Sequence, residues 1–294
     1  MGFAVTKSPP DHGHRGYILS SFFLSHFRLT RLAVLLLVAA LGSCQSVDVA
    51  NFAPLSEKYS AMVIEEASGK VIHETNSDTV RYPASLTKMM TLYLLFEAID
   101  SGRIPRDGSI PVSAYAASRP PSKLGVKAGE SVPVDIAIKA LAVKSANDIA
   151  AAVGEAVSGS EAAFASMMTA KARAIGMART QFVNASGLPD SNQYSTARDM
   201  ALLGLALRKR YPHYFSYFSL RSFDYNGRTI RGHNHLLGDP GVDGIKTGYI
   251  RASGFNIVVS VSKYGKRFIV VVMGGDNAKE RDTRVRQLIA AHAR

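Results

Sequence analysis

The sequence predicts an α/β fold of the α+β kind: an antiparallel sheet flanked by helices, with a helical subdomain. Three observations carry this expectation. Two pairs of strand-like runs, 59–65 with 70–74 and 255–262 with 268–273, are each joined by a short turn (Ala67-Ser68-Gly69 and Lys263-Tyr264-Gly265-Lys266), the pattern of a β-hairpin. An Ala-rich helical block over 133–176 separates them. Strands at both ends of a chain with helices between them favour one domain in which helices cover a sheet.

The chain begins with a segment unlike the rest. Arg28 and Arg31 precede an apolar run over 32–41, a positive region followed by a hydrophobic one too short to span a bilayer comfortably, which reads as a secretory signal. The stretch Leu41-Gly42-Ser43-Cys44 resembles a bacterial lipoprotein box, and Cys44 is the only cysteine in the chain. A lone thiol is a liability after export, so its position at the processing site favours lipidation of Cys44 over a plain signal peptide with an incidental cysteine. Residues 1–44 are therefore read as leader and signal, with 1–27 a leader or a misplaced start, 45–54 as a polar linker, and 55–294 as the folded domain.

Within that domain the first hairpin is followed by an 85–100 segment that is apolar almost all round and stops before Gly102. A helix apolar on every side belongs in the middle of a domain. The block 133–176 is expected to break near Ser145-Ala146-Asn147 and at Ser158-Gly159-Ser160. Thr196-Ala197-Arg198-Asp199 opens another helix with a capping signal, closed before Pro212. The second hairpin is apolar enough to be central in the sheet, and an amphipathic helix runs from about Lys279 to the end.

Hydrophobic residues make up 47% of the chain and charged ones 20%, ordinary for a protein with a full core. Net charge is +12, of which residues 1–44 hold +3 (Lys7, Arg15, Arg28 and Arg31 against Asp11), leaving +9 for the remainder. A basic surface suits a nucleic acid, an anionic lipid or an anionic wall polymer, or is merely solvated. No nucleic-acid module accompanies it, and no P-loop, Gly-x-Gly-x-x-Gly or Gly-x-Ser-x-Gly is present.

Three short motifs carry chemistry. The first is Ser85-Leu86-Thr87-Lys88. A serine hydroxyl needs a base to become a nucleophile, and on a helix Lys88 lies on the same face as Ser85. Ser85 in the first helical turn would also feel the positive end of the helix dipole. To act as a base Lys88 must be neutral, which burial and a neighbouring cation promote. The spacing recurs at Ser260-Val261-Ser262-Lys263, where a strand sends the two side chains to opposite faces and no pair forms. The second motif, Ser145-Ala146-Asn147, offers a second hydroxyl for proton relay and an amide to hold substrate and Lys88; a helix cap using Ser and Asn locally is the plain alternative. The third is Lys246-Thr247-Gly248, where Lys246 supplies positive potential, Thr247 a hydroxyl for a carboxylate, and Gly248 close backbone approach. An edge strand with a solvated lysine is its plain alternative.

Together and in this order, the three resemble the signature of the penicillin-binding proteins and serine β-lactamases. The contexts Tyr82-Pro83-Ala84-Ser85, Ser145-Ala146-Asn147-Asp148, Asn184-Ala185-Ser186-Gly187-Leu188 and Val242-Asp243-Gly244-Ile245-Lys246-Thr247-Gly248-Tyr249 are similar to the low-molecular-mass D-alanyl-D-alanine carboxypeptidases, over roughly 55–294. The resemblance implies a β-lactamase/transpeptidase-like fold with Ser85 acylated, Lys88 as general base, Ser145 as relay and Asn147 on the substrate amide. It places Lys246, Thr247 and Arg281 at the terminal carboxylate, and the backbone N–H groups of Ser85 and Tyr249 in an oxyanion hole. It implies no cofactor and no metal, peptidoglycan stem peptides as substrate, β-lactams as inhibitors, and no nucleic acid. Tyr249 departs from the histidine frequent after Lys-Thr-Gly. The chain also stops before the β-rich second domain and C-terminal anchor of many relatives, so a lipid on Cys44 would substitute as membrane anchor.

Three other readings compete. A D,D-endopeptidase would use the same machinery. A β-lactamase is disfavoured because no Glu-x-x-x-Asn occurs and residue 146 is Ala. A silent wall-binding lipoprotein would not need all the motif residues. His233-Asn234-His235 lacks further ligands at metal spacing and reads as a structural or solvent-facing pair.

Overall fold

The computed structural model describes residues 56–294, so Cys44, the predicted signal and the linker lie outside the described residues. The two hairpins meet in one sheet. Strands β1 (Ser60–Glu65) and β2 (Val71–Thr75) form the first. After a 3-10 turn, Ala84–Thr87, helix α1 (Lys88–Asp100) enters the interior. The short strands β3 (Ser109–Pro111) and β4 (Ser131–Pro133) pair with each other around a one-turn helix, α2 (Ala114–Ala117).

The helical block follows as α3 (Val134–Lys139), continued by a π-helical turn over Ala140–Lys144, then α4 (Asn147–Ser158), α5 (Glu161–Ala174) and α6 (Ala197–Arg210). The breaks fall at the two tripeptides the sequence marks. Thr196 caps α6 by accepting from the Asp199 N–H, one of the donors a helix start leaves open. A 3-10 segment, Pro212–Ser219, leads to the small hairpin β5 (Ser222–Tyr225) and β6 (Arg228–Arg231). The chain closes with β7 (Val242–Ile250), β8 (Gly254–Lys263), β9 (Lys266–Gly275) and α7 (Ala278–His292).

The main sheet is antiparallel in the order β2-β1-β9-β8-β7. Its central strands are apolar without alternation because helices cover both faces. Ile269, Val271 and Met273 of β9 join the core cluster around α1, whereas Phe268, Val270 and Val272 pack with Val285 and Leu288 of α7 behind the sheet. Eleven of the thirteen residues of α1 are buried, which accounts for a helix apolar all round. The arrangement is the mixed α/β fold expected, with β7 left as an edge facing the helical subdomain.

Candidate active site

At the head of α1 the chain makes the tight turn that carries Ser85. The sequence predicts Ser85 in the first α-helical turn; it lies one turn earlier, in the 3-10 segment Ala84–Thr87. Ala84 before it adopts φ 50°, a left-handed conformation that a non-glycine residue holds only under surrounding constraint. In a 3-10 turn positions three apart eclipse, and Lys88 Nζ lies 3.2 Å from Ser85 Oγ.

Two glycines let backbone close around this turn. A Cβ on Gly187, at φ 85°, would sit 1.9 Å from the Ala84 carbonyl oxygen, and one on Gly248 would come within 3.1 Å of Ser85 N, Leu86 N and Pro83 O. The edge strand β7 and the 184–188 loop thus press directly on the turn from two sides. Asn256 of β8 fixes it from below, donating from Nδ2 to the Tyr82 and Pro83 carbonyls while its Oδ1 accepts from Gly274 N–H.

Lys88 is fully buried. Besides Ser85 it donates to Asn147 Oδ1 at 2.7 Å and to the Ser186 carbonyl at 2.6 Å. Burial holds its pKa well below the ordinary lysine value, and the charge of Lys246 lowers it further against the opposing pull of Asp148 and Glu161. Lys246 is itself 2% exposed. Its ammonium donates to the Thr247 carbonyl at 3.0 Å, and burial followed by the field of Arg281 brings its pKa down to about 7. The strand is an edge, as one reading of the motif expects, but its lysine is not solvated.

Ser145 ends the π-helical turn at φ 62°, a feature recurrent at functional sites. Its Oγ is buried without a hydrogen-bond partner and lines the groove. Asn147 opens α4 and is tied to the 120–125 loop, with Nδ2 on the Pro120 carbonyl and its N–H on the Ser122 carbonyl. Thr247, Gly248 and Tyr249 form the opposite wall, and Arg281 of α7 reaches the same groove while 3% exposed, its Nε and Nη2 donating to Asp282 Oδ1. Tyr249 is 53% exposed, with its ring 4.2 Å from that of Phe255. The groove has a volume of about 330 Å³. All nine candidates of the domain therefore converge on one groove or its floor.

Several supports have no counterpart in the sequence expectations. The Ser186 carbonyl that accepts from Lys88 is positioned by Glu161, whose Oε1 receives the Ala185 N–H, and Asp148 anchors the groove-lining loop through Leu124 and Gly125 N–H. His233 and His235, expected from sequence to be a structural or solvent-facing pair, both line the groove. His235 Nδ1 lies 3.7 Å from Asp282, while burial and the charge of Lys246 hold the His233 pKa below its ordinary value. Alternate spacing puts both on one side, and that side stays exposed to solvent, as expected, while bordering the groove.

The sequence and the fold both have known counterparts. Residues 49–277 match the family profile described as D-alanyl-D-alanine carboxypeptidase. The chain belongs to that family. It is 36% identical over 244 residues to D-alanyl-D-alanine carboxypeptidase DacA of Escherichia coli, covering 80% of this chain and 60% of that protein. Among solved structures it superposes on the family member DacD from Francisella tularensis with a TM-score of 0.76 at 30% identity, over 85% of this chain and 74% of the other. It also matches penicillin-binding protein D2 from Listeria monocytogenes in its ampicillin-bound form, TM-score 0.69 at 29% identity, over 81% and 98% of the two chains. The chain spans about 60% of the length of the curated relative DacA.

Proposed function

We propose that the protein is an exported serine D-alanyl-D-alanine carboxypeptidase that trims peptidoglycan stem peptides. The observation that carries this reading is the contact between a fully buried, charge-averse lysine and a serine hydroxyl that lines the same groove as Arg281. Neutral Lys88 takes the Ser85 proton and Ser85 Oγ attacks the carbonyl carbon of the penultimate D-Ala. The Ser85 and Tyr249 N–H groups hold the resulting oxyanion. The C–N bond breaks as Ser145 passes the proton from Lys88 to the departing amine, and free D-Ala leaves. Water, deprotonated by Lys88, then hydrolyses the Ser85 ester. Thr247, Lys246 and Arg281 bind the terminal carboxylate, and Asn147 binds the peptide backbone. β-Lactams place a strained amide and a carboxylate at the same points and acylate Ser85; the ampicillin-bound relative supports this. Lipidation of Cys44 would keep the enzyme at the membrane, beside its substrate.

The test is D-alanine release from a peptide ending in D-Ala-D-Ala, with Ser85→Ala as control. Release that vanishes in the control is expected. A folded protein that releases none, and shows no penicillin adduct by intact mass, overturns the reading; cleavage of cross-linked dimers instead would reassign it as an endopeptidase.

A further inference from the structure

Beside the groove lies a second cavity of about 250 Å³, lined by Lys58, Arg81, Tyr82, Ser191, Ala252 and Ser253 among others. It is continuous in sequence with three walls of the groove. Tyr82 stands three residues before Ser85, Ser191 three after Leu188, and Ala252 two after Ile250, and those three partners all line the groove. Three trans peptide steps span at most about 11 Å between Cα atoms, so the cavity is within reach of the residue that precedes the scissile one in an extended peptide.

Direction follows from the carboxylate anchors. With the terminal carboxylate at Lys246, Thr247 and Arg281, the acyl part of the substrate leads away from them past Ser85, along β7 toward Ile250 and so toward this cavity. What it would meet there is positive charge. Arg81 donates from Nε to Ser60 Oγ at 3.0 Å and from Nη2 to the Glu57 carbonyl at 3.1 Å, and Lys58 Nζ reaches the Arg251 carbonyl at 3.4 Å. All of these acceptors are uncharged, and neither cation forms a salt bridge with an acid among the described residues. The neighbouring carboxylate of Asp190 is turned to the Asn192 N–H. Two cations on a cavity wall without a counter-ion leave a place for an anion.

We propose that this cavity is a subsite for a free carboxylate on the substrate residue immediately upstream of the D-Ala-D-Ala terminus, held by Lys58 and Arg81. The assignment rests on the acyl-transfer reading for its direction, but it is a statement about binding and is tested as one. Two peptides serve as probes, acetyl-Glu-D-Ala-D-Ala and acetyl-Gln-D-Ala-D-Ala, titrated calorimetrically into the full chain carrying Ser85→Ala, which cannot turn them over. The carboxylate peptide is expected to bind about fivefold more tightly, the scale of a half-exposed charge contact, with the ratio shrinking as salt is added. Lys58→Gln or Arg81→Gln should bring the ratio towards one. A folding defect would register separately, as a reduced binding stoichiometry for both peptides. Equal affinities, tighter binding of the glutamine peptide, no binding of either, or a ratio untouched by both substitutions would each overturn the subsite. Failure of the acyl-transfer reading registers separately, as absent D-alanine release by the unsubstituted chain.

Discussion

Lys88 and Lys246 are two buried lysines behind the lining of one groove, and burial lowers the pKa of both. Their surroundings differ. Lys88 is held by three oxygens from three separate segments, and one of them is the Ser85 hydroxyl. Lys246 has the carbonyl of its own neighbour and the repulsion of Arg281. A depressed pKa is thus common to both and does not single out the base. Direction does: Lys88 contacts the proposed nucleophile, whereas Lys246 acts on Lys88 through its field and is proposed to act likewise on the substrate carboxylate.

The largest effect that could break this contrast is Lys88→Met. Removing the proposed general base while keeping an unbranched side chain in the cradle is expected to slow penicillin acylation of Ser85 by about 10²–10⁴-fold, read as adduct formation by intact mass over time. Acylation at an unchanged rate would show that another group takes the Ser85 proton.

Lys246 gives the sharper, intermediate test. With a pKa of about 7 it loses its charge as pH rises through neutrality. KM for a carboxylate-ended peptide is therefore expected to climb between about pH 6 and 8, while Lys246→Arg, charged throughout, should keep KM flat. Lys246→Met should give a high KM at every pH. Stability moves the other way. Because the folded value lies below the ordinary lysine value of 10.5, the native state binds fewer protons between the two, and stability rises with pH across that window. A KM that ignores pH in the native protein would remove Lys246 from carboxylate binding.

The same contrast explains what can be read in advance. Ser85 with Lys88 and Ser260 with Lys263 share one spacing, and only the predicted secondary structure separates them. Ser260 lies in β8 with a buried side chain, while Lys263 falls on the opposite face. Helix, hairpins and motif order are legible because each depends on residues close in sequence. The conformation of the turn is less so: a 3-10 segment behind a positive-φ alanine comes from the pressure of Gly187 and Gly248, which sit about 100 and 160 residues away. The Ser186 carbonyl beside Lys88 has no signature, since any residue supplies a carbonyl. The groove-facing placement of His233 and His235 escapes the sequence because the orientation of a loop is set by its packing, not by its composition.

Tyr249 carries the smallest expected effect, and one that separates backbone from side chain. If its part in the reaction is the N–H in the oxyanion hole, the side chain matters only as a half-exposed ledge tilted against Phe255. Tyr249→Ala should then leave kcat within about threefold and raise KM severalfold, as expected for lost apolar contact with the acyl part of the peptide. If turnover instead fell by about a hundredfold, the scale seen when one oxyanion donor is removed, the ring would be what holds β7 in position against Ser85. The strand would then depend on its own side chains as well as on the close approach that Gly248 permits.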